Sequence, residues 1–96
     1  MLKIVAKMQV KEGCAEQFKE TARELVAKSQ AEEGNIYYTL NVSKEDPSIL
    51  AFLECWKDEE ALAKHEKTEH FTSILPKLGE LCEKNLPVEF FTEVEY

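Results

Sequence analysis

The chain of 96 residues lacks the features from which most nucleotide and flavin sites are built. It has three glycines, and it contains none of the patterns G-x-G-x-x-G, G-x-x-x-x-G-K-[ST], G-x-S-x-G or H-E-x-x-H. These absences exclude the common phosphate-binding loops, the nucleophile elbow and the helical zinc site. Its three cysteines form no C-x-x-C pair, which is typical of reduced thiols in the cytosol. We therefore predict a cytoplasmic protein without a nucleotide or flavin cofactor.

Basic charge and long apolar runs are also scarce. The chain has 12 lysines and arginines against 19 acidic residues, and its formal net charge is −7. No basic stripe is present, which argues against a nucleic-acid or anionic-membrane surface. No segment approaches the roughly 20 apolar residues of a membrane-spanning helix. The length predicts one domain, 1–96, that buries only roughly 60–65% of its unfolded surface and would gain stability from self-association.

The periodicity of the apolar residues predicts an α+β fold. Alternation with period two indicates strands, and spacing of three to four residues indicates helices. Asp58 and Thr68 are placed to cap two successive helices, and Pro76 is expected to kink or break the second one. The predicted elements are strands at 2–10, 35–43, 49–57 and 86–96, and helices at 14–31, at 59–67 and from Thr68 to about Cys82.

This order is the ferredoxin-like β-α-β-β-α-β arrangement with an antiparallel sheet. Helices can cover only one face of such a sheet, whereas several strands carry apolar or aromatic side chains on both faces. We expect a second copy to cover the other face, which gives a two-fold homodimer with its sheets face to face. The residue pairs that indicate this are Tyr37 with Tyr38, Leu53 with Phe52, and Phe90 with Phe91.

Glu54 is the first candidate for acid–base chemistry. It lies two residues before Trp56 on a strand, so the two side chains point the same way. Burying a carboxylate on an apolar face costs several kcal/mol unless it is paired, and burial can raise its pKa toward neutrality. The alternative is a carboxylate at the sheet rim, bonded to Arg23 or to a lysine.

His65 is the second candidate. It follows Ala61 and Leu62 at helical spacing, which places it on the buried face of its helix, and a histidine there can exchange a proton near neutral pH. The alternative is a core histidine with its hydrogen bonds satisfied. His70 comes five residues later, a spacing that does not suit a helical metal site, so no metal is predicted. Tyr38 either donates its hydroxyl into a pocket or serves as a core aromatic.

The chain resembles the antibiotic biosynthesis monooxygenase family over residues 2–94. The main carrier of the resemblance is the run E-x-W-x-D-x-x-A-L-x-x-H-x-x-T-x-H-F from Glu54 to Phe71. The family implies a dimeric ferredoxin-like α+β barrel whose active members oxidise quinols or polyketide phenols with O₂, without metal, flavin or haem. Further matching positions are Ile4-Val5-Ala6, Gly13, Phe18, Glu33-Gly34-Asn35, Tyr38 and Asp46-Pro47.

The resemblance also implies roles around a pocket between the sheet and the helices. His65 would be the base or hydrogen-bond partner of the substrate, and Glu54 would orient or tune it. Trp56 and Phe71 would form the walls of the pocket, and His70 and Tyr38 would assist.

Three classes of function stay open at this point. The first is a cofactor-independent monooxygenase that oxidises a small aromatic or quinol substrate with O₂. The second is an isomerase of a small phosphorylated carbonyl compound, which would shuttle protons between Glu54 and His65 and would need a phosphate site. The third is a non-catalytic dimer that binds a small molecule. The basic candidates for the phosphate site are Lys57, Lys64 and Lys67.

Overall fold

The central strand of the sheet is the first one along the chain. In the computed structural model, which describes residues 1–96, the elements are β1 Leu2–Val10, α1 Ala15–Gln30, β2 Asn35–Val42, β3 Ile49–Trp56, α2 Glu59–His65, α3 Glu69–Glu80, β4 Cys82–Asn85 and β5 Glu89–Thr92. The first strand, β1, pairs with β3 on one edge and with β4 and β5 on the other. All pairings are antiparallel, and the strand order is β2-β3-β1-β4, with β5 also beside β1.

The ferredoxin-like fold class is confirmed, but the prediction of a single last strand at 86–96 is wrong. The chain pairs with β1 immediately after α3, breaks at 86–88, and pairs again as β5. Pro87 lies in this break and has no backbone N–H to donate to a ladder. Leu86 keeps one bond to β1, from its N–H to the carbonyl of Lys7 at 3.2 Å.

Side-chain caps fix the two short helices as the sequence predicts. The Asp58 carboxylate accepts from the backbone N–H of Ala61 at 2.8 Å, and the Thr68 hydroxyl accepts from that of Phe71 at 3.3 Å. The expected break at Pro76 is absent, because α3 continues past it to Glu80. Buried Ile74 and Leu78 on either side of Pro76 hold the flanking turns against the core. No helix has the length and apolar character needed to cross a bilayer.

The helices cover one face of the sheet, and Glu54 lies on that face. It stands directly opposite Ile4 of β1 and Tyr38 of β2. The opposite face of the sheet, which carries Tyr37, Leu53 and Phe91, is covered by no helix, and these three side chains are exposed. The buried apolar core consists of Ile4, Met8, Val10, Phe18, Ala22, Leu25, Tyr38, Leu50, Phe52, Trp56, Ile74, Leu78 and Cys82.

The loop between α1 and β2 approaches α2 closely at one glycine. A Cβ atom at Gly34 would overlap that of Ala61, whereas one at Gly79 in α3 would meet open space. The carbonyl of Gly34 also accepts from the N–H of Lys57 at 2.8 Å, just after β3. Gly34 therefore lets this loop pack against both the end of β3 and the first turn of α2.

We predict opposite effects of the same substitution at these two glycines. Gly34→Ala should destabilise the fold by about 1–3 kcal/mol because it overpacks the contact with Ala61. The melting temperature should then fall by roughly 5–15 °C. Gly79→Ala should raise stability by about 0.5–1 kcal/mol, because alanine loses less backbone entropy in a helix. Thermal unfolding followed by circular dichroism tests both, and equal melting temperatures for the two variants would contradict the proposed contact.

Candidate active site

A mostly apolar cavity of about 280 Å³ lies between the covered face of the sheet and helices α2 and α3. Its size is at the low end of small-molecule sites. Two of its polar members, Glu54 and His65, are the candidates that the sequence indicates for acid–base work. The apolar part of the wall comes from β1, β3, α2, α3 and the C-terminal segment, and includes Ile4, Met8, Phe52, Leu62, Phe71, Leu75, Leu78, Leu86, Val88 and Phe90.

Glu54 enters the cavity from β3 with its carboxyl group almost entirely removed from solvent. The residue is 7% exposed, and its Oε1 accepts a hydrogen bond from Nε1 of Trp56 at 2.9 Å. Burial raises the pKa of Glu54 to about 7, although the Trp56 bond partly opposes the rise. The alternative of a rim carboxylate bonded to Arg23 or a lysine is wrong, because Arg23 pairs with Glu20.

His65 is the last residue of α2, and its ring is 1% exposed. Its Nδ1 lies 2.6 Å from Oε2 of Glu32, while its Nε2 is buried without a hydrogen-bond partner. The ring packs against Trp56 at a centroid distance of 4.5 Å and edge-on against Phe71 at 4.9 Å. Burial lowers the pKa of His65, and Glu32 opposes that shift. Burial therefore favours the neutral imidazole at the cavity wall.

Glu32 is the residue that the sequence analysis missed. It lies in the loop between α1 and β2, where no periodicity separates an inward side chain from a solvated one. Its Oε2 accepts from His65 and also lies 2.8 Å from Nε2 of His70. The expectation that Glu54 orients His65 is therefore corrected, because the partner of His65 is Glu32.

The six residues named from the sequence divide into two groups. Tyr38, Glu54, His65 and Phe71 line the cavity, and burial together with the charge of Glu54 raises the pKa of Tyr38. The expectation that Trp56 walls the pocket needs correction, because Trp56 does not line the cavity; His70, expected to assist, does not line it either. Each of them instead contacts a residue that bears on the cavity. Trp56 donates a hydrogen bond to Glu54, and His70 is hydrogen-bonded to Glu32, the partner of His65.

Glu32, His65 and His70 are also the residues that could hold a metal ion. Their donor atoms all lie within 4.8 Å of one another. The two nitrogens, however, approach a single oxygen at 2.6 and 2.8 Å. A tetrahedral ion with bonds of about 2.0–2.2 Å would hold its donors roughly 3.3–3.6 Å apart. The observed spacing is that of two hydrogen bonds converging on one carboxylate oxygen.

Comparison with known proteins decides the family. Residues 1–77 match the family described as antibiotic biosynthesis monooxygenase. The chain belongs to the antibiotic biosynthesis monooxygenase family. The match includes the whole segment from Glu54 to Phe71, so the resemblance on which the sequence analysis relied is confirmed.

Individual members of the antibiotic biosynthesis monooxygenase family and their structures agree with this assignment. The "Putative monooxygenase YcnE" of Bacillus subtilis is 38% identical over 88 residues, which span 92% of this chain and 93% of that protein. A crystal structure of an antibiotic biosynthesis monooxygenase is 33% identical with a TM-score of 0.92, covering 99% of this chain and 100% of that one. A conserved protein from Methanosarcina mazei Go1 is 34% identical with a TM-score of 0.93, covering 97% and 92%. These relatives support a monooxygenase-like role.

Because the pKa of Glu54 is raised, we predict that the stability of the protein depends on the ionisation of this residue. A carboxyl whose folded pKa exceeds its ordinary value stabilises the fold at low pH, and that contribution is lost as pH rises through about 7. Glu54→Gln keeps an oxygen for Trp56 but does not titrate. Its stability relative to the natural protein should therefore improve by up to roughly 3 kcal/mol between pH 4.5 and pH 8.

Melting temperatures measured at half-unit pH steps test this expectation. The control is Glu83→Gln, which removes a carboxylate that is exposed on β4. The difference between the control and the natural protein should stay constant over the same pH range. A constant difference for Glu54→Gln as well would show that Glu54 does not titrate in the buried environment described above.

Proposed function

We propose that this chain is a monooxygenase that oxidises a small electron-rich aromatic molecule, such as a quinol, with O₂ and without a cofactor. The single observation that carries this proposal is the buried, unpartnered Nε2 of His65 at the wall of an apolar cavity. A buried polar atom without a partner costs free energy, so a hydroxyl group that donates to it would be bound and held for proton transfer. The family membership agrees with this chemistry.

The reaction needs a base and an apolar enclosure. Transfer of a quinol O–H proton to Nε2 of His65 leaves an anion that gives up electrons to O₂ more readily than the neutral molecule does. A quinol and O₂ then yield a hydroxyquinone and water, so that the substrate supplies all four electrons and one oxygen atom enters the product. The apolar wall excludes bulk water from the reactive intermediates.

Glu54 provides a second proton acceptor at the same wall. Its pKa of about 7 leaves it partly ionised at neutral pH, so it can accept the second quinol proton or return one to reduced oxygen. Tyr38 and Phe71 flank His65, with ring centroids 5.4 and 4.9 Å from the imidazole. These rings suit the flat faces of an aromatic substrate.

The isomerase alternative receives less support from the cavity. None of Lys57, Lys64 and Lys67 lines it, and Lys7 is the one cation among its lining residues. Lys57 and Lys64 border a different, polar groove beside Glu33 and Asp58. A phosphorylated substrate in the cavity would therefore have to rely on Lys7 for charge neutralisation.

Oxygen consumption with a panel of hydroquinones tests the proposal. His65→Ala should lower kcat/KM by about 100-fold or more, which is the usual contribution of a general base. Lys77→Ala, an exposed position of α3 outside the cavity, is the control and should retain full activity. Full activity of His65→Ala would refute the base assignment, and loss of activity on chelation would refute the cofactor-free mechanism. Binding of hydroquinones without oxygen uptake would refute the monooxygenase and favour the non-catalytic dimer that binds a small molecule.

We also propose that the uncovered sheet face is the contact between two copies of the chain. Tyr37, Leu53 and Phe91 share this face and stay exposed in the single chain. Light scattering should give a mass of twice the 11.1 kDa of one chain. Leu53→Glu should produce monomers, because it would bury a charge between the sheets. Ala63→Glu on the exposed side of α2 should remain dimeric; a monomeric natural protein at micromolar concentration would refute the proposal.

A further inference from the structure

A single oxygen of Glu32 contacts both histidines of the chain. The Glu32 side chain is 15% exposed, and its Oε2 lies 2.6 Å from Nδ1 of His65 and 2.8 Å from Nε2 of His70. The chain has no other histidine. We propose that Glu32 is the positioning residue of the cavity base: it fixes His65 as the Nδ1–H tautomer, so that Nε2 is left as a hydrogen-bond acceptor at the cavity wall.

The hydrogen-bond inventory of the cluster leads to this tautomer. A carboxylate oxygen accepts and does not donate, so each nitrogen that faces it must carry a hydrogen. Nδ1 of His65 and Nε2 of His70 are therefore both protonated. Burial of the His65 ring favours the neutral imidazole, in which the second nitrogen carries no hydrogen. The same Nε2 is the atom for which the protein provides no partner.

The loop that carries Glu32 is held at both ends, so the carboxylate has a defined position. The N–H of Glu32 donates to the carbonyl of Ser29, and its own carbonyl accepts from Asn35, each at 3.1 Å. Gly34 brings the same loop against Ala61, one turn before His65 on α2. Backbone hydrogen bonds thus hold the loop at Glu32, and the close approach of Gly34 to Ala61 holds the loop against the helix that carries His65.

Trp56 and His70 complete the arrangement from the other directions. The indole of Trp56 lies against the His65 ring at a centroid distance of 4.5 Å and an interplanar angle of 37°. His70, which is 12% exposed, supplies the second hydrogen bond to Oε2 of Glu32. The imidazole of His65 is therefore restrained in rotation by a tilted ring packed against it and by the carboxylate acceptor. A base oriented by a third group is the general form of an activated catalytic dyad.

Glu32 also has an electrostatic consequence for catalysis, which rests on the proposed function. When Nε2 of His65 accepts a substrate proton, the imidazole becomes positively charged while its Nδ1–H still donates to the carboxylate. The hydrogen bond then becomes one between two ions, which is stronger than the neutral one. Glu32 would thus favour the protonated base that forms in the reaction over the neutral base of the resting protein.

Nitrogen-15 NMR tests the tautomer without reference to any activity. Long-range proton–nitrogen spectra of this chain contain only two imidazole rings, and His70→Gln assigns them. In the natural protein, His65 should show a protonated Nδ1 and an unprotonated Nε2. Glu32→Gln keeps a carbonyl oxygen and should retain that pattern, whereas Glu32→Ala should convert His65 to a mixture of tautomers. The control Glu33→Gln, at the exposed neighbouring position, should change nothing.

Two results would overturn the proposal. The first is a His65 ring that carries its hydrogen on Nε2 in the natural protein, or that keeps the Nδ1–H tautomer in Glu32→Ala. The second is stoichiometric binding of Zn²⁺ that is lost in Glu32→Gln and His70→Gln, because coordination takes the lone pair of Nδ1 and forbids the hydrogen there. The absence of such binding in calorimetry agrees with a hydrogen-bonded cluster.

Kinetics separate this inference from the proposed function. With a hydroquinone that the natural protein oxidises, Glu32→Gln should lower kcat by at least about tenfold while KM changes by less than about twofold. Glu33→Gln should match the natural protein. If no hydroquinone is oxidised but the tautomer is as stated, the proposed function fails and the positioning role of Glu32 stands. If oxidation depends on His65 but Glu32→Ala, which removes the acceptor, retains the full kcat, the positioning role fails alone. Full kcat in Glu32→Gln would refute the electrostatic contribution of the carboxylate.

Discussion

The hydrogen bonds to Oε2 of Glu32 tie together three segments that are distant along the chain. They join the loop after α1 to the last residue of α2 and to the first turn of α3. Removing an acceptor from buried donors costs more than a typical hydrogen bond contributes, because the donors remain desolvated. This one carboxylate therefore positions the cavity base and connects the α1–β2 loop with the junction between α2 and α3.

Burial in the cavity shifts the pKa values of Glu54 and His65 in opposite directions. Burial disfavours the charged form of each, so the pKa of Glu54 rises and that of His65 falls. Each group has one hydrogen-bond partner that opposes the effect of burial on its pKa. This partner is Trp56 for Glu54 and Glu32 for His65. Trp56 contacts both groups, since its N–H donates to the carboxyl group of Glu54 and its ring packs against the imidazole of His65. Two proton acceptors at one apolar wall is the pattern expected of acid–base chemistry near neutral pH.

The fold assigns different tasks to the two faces of the sheet. The covered face carries the core and, toward α2 and α3, leaves the cavity rather than complete packing. The uncovered face carries aromatic and aliphatic side chains, and β5 extends it along the edge of β1. The C-terminal segment contributes to both, because Phe90 lines the cavity while Phe91 lies on the uncovered face. Contacts on the uncovered face and the walls of the cavity are thereby linked through one short strand.

Local pattern in the sequence was enough for the order of strands and helices from β1 to α3 and for the caps at Asp58 and Thr68. It was also enough to pair Glu54 with Trp56 and to bury His65. These features depend on neighbours within a few residues, and periods of two and of three to four report them directly. The resemblance to the family was likewise carried mainly by one continuous run of residues, from Glu54 to Phe71.

Tertiary structure alone decided which sheet face holds Glu54, and it alone brought Glu32 to His65 and His70, which lie 33 and 38 residues away. Only the tertiary structure showed that Trp56 and His70 do not line the cavity and that the last strand is divided near Pro87. Strand parity groups side chains without naming the face that the helices cover, and a loop glutamate carries no periodic signal. Such contacts depend on strand register and loop closure, which a local pattern does not encode.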